Sequence, residues 1–339
     1  MSLMLDEARN APERIRGQLQ RNAGLLADLG EHLRRRPPVG AVTVARGSSD
    51  HAAGYFAYLC MKLHGIPVAS LPPSLTTLSG APWRLSGQLA LAVSQSGQSP
   101  DLVATQRALA EAGAHALALV NTPESPLGAA SHREVPLYAG LERSVAATKS
   151  YLATLSAMAQ LLGHWQEDHR LLDALAGLPE RLTRAAEADW SPAIEALEAA
   201  DRLMVIGRGA GLAVAQEAAL KFKETCAIQA EPFSGAEVRH GPMALIGPGY
   251  PVLVFAPPGP EQAGLLALAE WLEGVGARVL LAADEAVPRR HLTLVDAGHE
   301  ALQPLAVIQS FYVMVAGLAA ARGSDPDRPR HLHKVTRTL

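Results

Sequence analysis

VTVARGSSDHAAGYFAYLCMKLHGIPVA at residues 42–69 and MVIGRGAGLAVAQEAALKFKETCAIQAE at 204–231 are two versions of one pattern. Each opens on a short apolar, β-branched run, turns through glycine and continues as a long helical stretch. Arg46 falls on Arg208, Gly47 on Gly209 and Ile66 on Ile228, at a constant offset of 162 residues. At that offset LAVSQSGQSP (91–100) meets LVFAPPGPEQ (253–262), with Gly97 on Gly259. The apolar helical stretch from Val145 to Leu162 likewise meets Val307 to Ala321. An internal duplication accounts for all these pairings together. Within each copy strand and helix alternate, which predicts a parallel β-sheet flanked by helices on both faces.

The organisation that follows is two similar α/β domains, 37–165 and 198–322. A helical segment at 1–36 ends before Pro37-Pro38, and 166–197 forms a helical connector. The tail 323–339 lacks an apolar period. At 339 residues, 48% hydrophobic and 19% charged, two domains is also the expectation from length and composition alone. A formal net charge of −3 gives no long-range attraction to nucleic acid or to an anionic membrane surface. Two cysteines, Cys60 and Cys226, are too few for a disulfide framework, and a reducing cytoplasm is the expected setting. The first residues, MSLMLDEARNAPERIRGQLQ, are too charged for a signal peptide. The longest apolar stretch, Leu305 to Ala321, is interrupted by Gln309 and Ser310 and is expected to be a buried helix.

The two copies differ where it matters chemically. In the first, a strand ends in Ser94-Gln95-Ser96-Gly97, and Ser99-Pro100-Asp101 opens a helix. Hydroxyls, an amide and a glycine-flexible backbone at a helix N-terminus suit a phosphate. The second copy carries Ala256, Pro257, Pro258 and Pro260 there, which removes hydroxyls and N–H donors. One phosphate site per chain is expected. The bland alternative is that these serines only cap a helix. No lysine stands in the SQSGQS loop, which favours a monophosphate. No cofactor and no metal are called for. Gly207-Arg208-Gly209-Ala210-Gly211 is an incomplete dinucleotide fingerprint, and no paired His/Cys spacing suggests ligation.

Six motifs in order, ARGSS, SQSGQS, SVAATK (144–149), EAALKFKE (217–224), EVRHGPMALI (237–246) and DRPRHLHKV, resemble the sugar isomerase (SIS) family. In particular they are similar to the isomerase half of the glutamine–fructose-6-phosphate amidotransferases. The resemblance implies two tandem SIS domains, each a flavodoxin-like, doubly wound parallel sheet. The chain starts at the isomerase part, and its tail reads HKVTRT rather than the AKSVTVE of those amidotransferases, the glucosamine-6-phosphate synthases. Both features look more like stand-alone SIS-type glucosamine-6-phosphate deaminases, with fructosamine-6-phosphate deglycases, other phosphosugar isomerases and non-catalytic sugar-phosphate sensors as alternatives.

The implied substrate is a hexose or hexosamine 6-phosphate, with Ser48, Ser49, Ser94, Gln95, Ser96 and Ser99 holding the phosphate. His240 matches the ring-opening histidine, a role suited to a group that titrates near neutral pH. The other histidines singled out, His51, His64 and His115, are read as surface or core. Glu217, Lys221 and Glu224 share one face of a helix over 213–224. Spacing alone reads as an exposed E–K–E ladder worth ~0.3–0.5 kcal/mol per pair. The resemblance instead makes Glu224 the C1–C2 proton carrier and Lys221 a nearby cation. Lys334 matches the lysine that can form a Schiff base with the open-chain ketose. Val145 and Ala147 fall in the loop that contacts sugar hydroxyls, with Ala147 where the synthase has serine. The family also implies a homodimer in which His240 serves the neighbouring subunit's site.

Overall fold

A computed structural model of the chain describes residues 2–334. It divides into two compact units, one holding residues 2–12, 143–148 and 177–332 and the other 13–142, 149–176 and 333–334. The first helix, α1 (Leu3–Arg35), starts in one and continues into the other.

The unit containing residues 13–142 carries strands β1 (Gly40–Val44), β2 (Val68–Ser70), β3 (Gln88–Ser94), β4 (His115–Val120) and β5 (Arg133–Pro136). All are parallel, in the order β2-β1-β3-β4-β5. Helices α2 (Ser48–His64), α3 (Ser74–Thr77), α4 (Pro100–Glu111), α5 (Pro126–Ala129), α6 (Lys149–Gln166) and α7 (His169–Ala176) complete it. Every residue of β1 is buried, because the sheet is covered on both faces, and this explains its largely apolar sequence, with Thr43 its one polar side chain.

The other unit contains α8 (Leu178–Glu187), α9 (Ser191–Leu197), β6 (Arg202–Gly207), α10 (Gly211–Cys226), β7 (Gln229–Ser234) and β8 (Pro251–Ala256). It continues through α11 (Gln262–Gly274), β9 (Arg278–Ala283), β10 (Leu292–Thr293) and α12 (Gln303–Ala321). Its parallel sheet runs β10-β9-β8-β6-β7. Counted from its own first strand this is the same 2-1-3-4-5 order as the first sheet, so the repeat in the sequence is a repeat of topology. In this order the strand connections diverge between the first and third strands, and ligands bind outside the carboxyl ends of those two strands.

The apolar stretch at 305–321 lies within α12. The helical segment Glu300–Ala321 is long and apolar enough to cross a bilayer, but 78% of its most apolar window is buried inside the protein. Cys60 and Cys226 are both free and buried.

Two half-buried histidines give the fold a pH dependence. His64, at the end of α2, stacks on Trp165 with ring centroids 3.9 Å apart, and burial pushes its pKa down to about 4. His115 is lowered as well, by burial first and then by His32, His132 and Arg133. An unfolded histidine titrates near 6.5, so below that pH the unfolded chain binds more protons than the native one. The contribution of these two histidines is therefore complete above about pH 6.5 and is lost as the pH falls toward 4. Urea midpoints at pH 7.5 and pH 5 check this, with the lower midpoint expected at pH 5. A His64→Gln variant is expected to lose less of its midpoint over that interval than wild type.

Candidate active site

The serine-rich loop lies at the divergence point of the first sheet. The turn after β1 gives Arg46 and Gly47, the first turn of α2 gives Ser49, and the end of β3 gives Ser94, Gln95 and Ser96. With Ser99 and Lys334 they line a cavity of about 360 Å³. Ser48, the first residue of α2, adjoins this lining.

The loop is shaped by its own backbone. Ser94 Oγ accepts the Gly97 N–H at 3.0 Å, and Ser96 Oγ accepts the Gln98 N–H at 3.3 Å. The Gln95 carbonyl accepts the N–H groups of Asn121 and Thr122, both at 3.2 Å. Ser99 occupies the N-cap position of α4, yet its side chain makes no capping hydrogen bond. The helix-capping alternative thus fails at Ser99, a residue that lines the cavity. Gly97 has φ +64°, and a Cβ there would stand 2.3 Å from Ser125 Oγ and 2.8 Å from Val120 Cγ1. Gly97→Ala is expected to cost at least about 1–2 kcal/mol from the left-handed backbone alone. The clash adds to that and distorts the loop, so urea unfolding and phosphate titration should both show a loss.

Two ion pairs flank the cavity. Arg46 donates to Asp101 Oδ2 from Nη2 at 2.9 Å and from Nε at 3.2 Å. Lys334 Nζ donates to Glu142 Oε2 at 3.1 Å. Glu142 also accepts the Ser150 N–H at 3.1 Å and the Ser150 hydroxyl at 2.6 Å. Both carboxylate side chains are fully buried, whereas Arg46 is 50% exposed and Lys334 25%. Lys334 is therefore tied down among the described residues, although the sequence around it has no apolar period.

The other unit carries the remaining candidates. A tight turn from β6 launches α10, since a Cβ on Gly207 would lie 2.3 Å from the Gly211 carbonyl oxygen. On α10, Lys221 Nζ donates to Glu224 Oε2 at 2.5 Å and sits 3.3 Å from Glu217 Oε1. Tyr312 of α12 donates its hydroxyl to the same Glu217 oxygen at 3.0 Å. Glu217 and Lys221 are 0% and 1% exposed and Glu224 19%. The exposed-ladder reading is thereby corrected: packing under α12 puts Glu217 and Lys221 in the interior, where the ladder energy does not apply. Burial lowers the Lys221 pKa, but the charges and hydrogen bonds of Glu217 and Glu224 outweigh it, and the net shift is upward. Glu224 is thus anchored through one oxygen by a fixed ammonium. Its other oxygen has no hydrogen-bond partner among the described residues.

His240 ends a 3-10 turn, Glu237–His240, whose Val238 is buried against the β6, β8 and β9 core. The imidazole itself is exposed and has no hydrogen bond or ion pair among the described residues. Gly241 follows at φ +137°, a conformation reserved for glycine. Val145 and Ala147 are half-buried in the 143–148 segment, and the Val145 N–H meets the Asp327 carbonyl at 3.4 Å. Serines 49, 94, 96 and 99, Gln95 and Lys334 thus share one cavity, and Glu224 and Lys221 share one cluster in the other unit. Among the described residues no group of three His, Cys, Asp or Glu side chains is arranged to hold a metal.

The partners missed in the sequence are Glu142, Tyr312 and the pairing of Arg46 with Asp101. Glu142 stands two residues before the SVAATK motif, the one signal that could have exposed it. Nothing local marks Tyr312.

Comparison with known proteins agrees with this architecture. The SIS domain family matches residues 40–163 and 196–287, and the chain belongs to it. Glutamine–fructose-6-phosphate aminotransferase (isomerizing) from Methanothermobacter thermautotrophicus is 33% identical over 346 residues, 98% of this chain and 56% of that protein. This chain therefore spans little more than half the length of that relative. A protein of Silicibacter pomeroyi provisionally named phosphosugar isomerase is 43% identical, with a TM-score of 0.92 over 96% of this chain and all of its own. Glucosamine-6-phosphate deaminase from Thermotoga maritima, 22% identical, has a TM-score of 0.79 over 99% of this chain and all of its own, a likeness of fold.

Proposed function

We propose that this chain is a phosphosugar isomerase acting on an amino-sugar 6-phosphate, and that it releases ammonia. Glucosamine 6-phosphate and water would give fructose 6-phosphate and ammonia. The observation that carries this reading is Glu224, a carboxylate fixed through one oxygen by buried Lys221 while the other is available to take a proton.

The roles divide by chemistry. Ser49, Ser94, Gln95, Ser96 and Ser99, with Ser48 beside them, hold the phosphate. His240 moves the proton that opens the ring. Glu224 removes the C2 proton of the open-chain aldehyde, giving an enolamine, and returns a proton to C1. The C2 carbon then carries an imine, which water hydrolyses to the ketone with loss of ammonia. Lys221 keeps Glu224 oriented and Glu217 holds Lys221, while Lys334 supplies positive charge for the developing enolate. Val145 and Ala147 meet the sugar hydroxyls. An exposed, unengaged His240 on a glycine-bounded turn supports a homodimer in which that loop meets a second copy. Two buried free thiols fit a cytoplasmic setting.

The experiment is an end-point assay on glucosamine 6-phosphate. Equal amounts of ammonia and fructose 6-phosphate support the proposal. Neither product, with the sugar phosphate still bound in calorimetry, would overturn the deaminase and leave a different sugar phosphate or a sensor.

A further inference from the structure

We infer that Arg46, clamped by Asp101, is the charged anion-binding residue of the serine-lined cavity. This rests on the phosphate-pocket reading and adds to it a fixed positive charge in a cradle otherwise built of hydroxyls and backbone dipoles.

The guanidinium has five N–H donors. Two of them go to Asp101 Oδ2, and the guanidinium has no further hydrogen bond among the described residues. Three donors therefore remain on a side chain that lines the cavity and is 50% exposed. Asp101 is fully buried and is absent from the cavity lining, and its Oδ1 accepts the Leu102 N–H at 2.9 Å. The carboxylate thus sits behind the arginine and holds its plane without competing for the ligand. An arginine fixed in this way meets a phosphate as a fork, with less side-chain entropy left to lose.

The duplicated half supplies an internal control. Arg208 occupies the place of Arg46, but at the same offset Ala263 stands where Asp101 does. Arg208 has no ion pair among the described residues, and its Nη1 would lie 3.3 Å from a Cβ on Gly264. The hydroxyl loop is also missing in that copy. The clamping acid therefore accompanies the hydroxyl loop, not the arginine itself. Lys334 repeats the arrangement in the first copy, its buried partner Glu142 likewise outside the lining.

The test is calorimetric titration of the full chain with inorganic phosphate, at fixed salt, for wild type, Arg46→Gln, Arg46→Lys, Asp101→Asn and Ser99→Ala. Arg46→Gln is expected to weaken phosphate about 10–100-fold, in line with loss of a charge-assisted hydrogen bond. Arg46→Lys should recover part of that loss and flatten less of the salt dependence than Arg46→Gln. Asp101→Asn should fall between wild type and Arg46→Gln. Circular dichroism melts without phosphate separate these effects from unfolding. If Ser99→Ala weakens phosphate and folded Arg46→Gln does not, the arginine assignment is wrong and the pocket stands. If wild type takes up no phosphate, the pocket reading fails and the assignment with it.

Discussion

Glu224→Gln is expected to lower turnover of glucosamine 6-phosphate by about 10²–10⁴-fold, the usual worth of a positioned proton-transfer group. Glutamine keeps the size of the side chain and can still accept from Lys221 through its amide oxygen, so substrate affinity should change little. The loss then falls on kcat rather than KM, because the interaction removed is made only in the transition state. Steady-state kinetics together with a binding titration read the two effects apart. A variant that bound weakly but turned over at the wild-type rate would make Glu224 a binding residue. The protein should remain folded, since Glu224 is 19% exposed and its replacement leaves Glu217 to balance Lys221.

Lys221→Met should have the largest effect on stability. It removes the ammonium that stands 3.3 Å from the fully buried Glu217, and with it the anchor of Glu224. Breaking a buried ion pair from one side costs ~3–5 kcal/mol, because the remaining charge stays desolvated. The double variant Lys221→Met, Glu217→Gln should regain most of this, since it removes the uncompensated charge as well. Urea unfolding of the two singles and the double closes a mutant cycle, and a strongly favourable coupling energy is the expected result. Equal midpoints for wild type and Lys221→Met would show that Glu217 is not held as a buried anion. The double variant should still be catalytically impaired, because Glu224 loses its fixed partner even when the fold recovers.

The duplicated pattern was legible because repetition in sequence leaves a constant offset, and the two sheets share one strand order. The serine loop was legible for a local reason: its residues are contiguous and open a helix whose start is marked by Pro100. The ion pairs were not. Lys334 and Glu142 are 192 residues apart, and Arg46 and Asp101 are 55 apart. Only the closing of the chain brings such partners together. Helical spacing put Glu217, Lys221 and Glu224 on one face, but whether that face meets water or α12 is a tertiary matter. Tyr312 decides it, and no pattern within α10 could have announced that contact. His240 shows the opposite case: its motif was plain in sequence, while its side chain is exposed.

The measurement that goes most directly to the central claim uses glucosamine 6-phosphate deuterated at C2. The account predicts that the ketose phosphate formed carries the label at C1, or has lost it to water, and that Glu224→Gln stops this migration. Ketose phosphate formed by Glu224→Gln at the wild-type rate would contradict proton transfer by Glu224, and wild type that leaves the deuterium on C2 of unconverted substrate would contradict the aldose–ketose chemistry proposed for the chain.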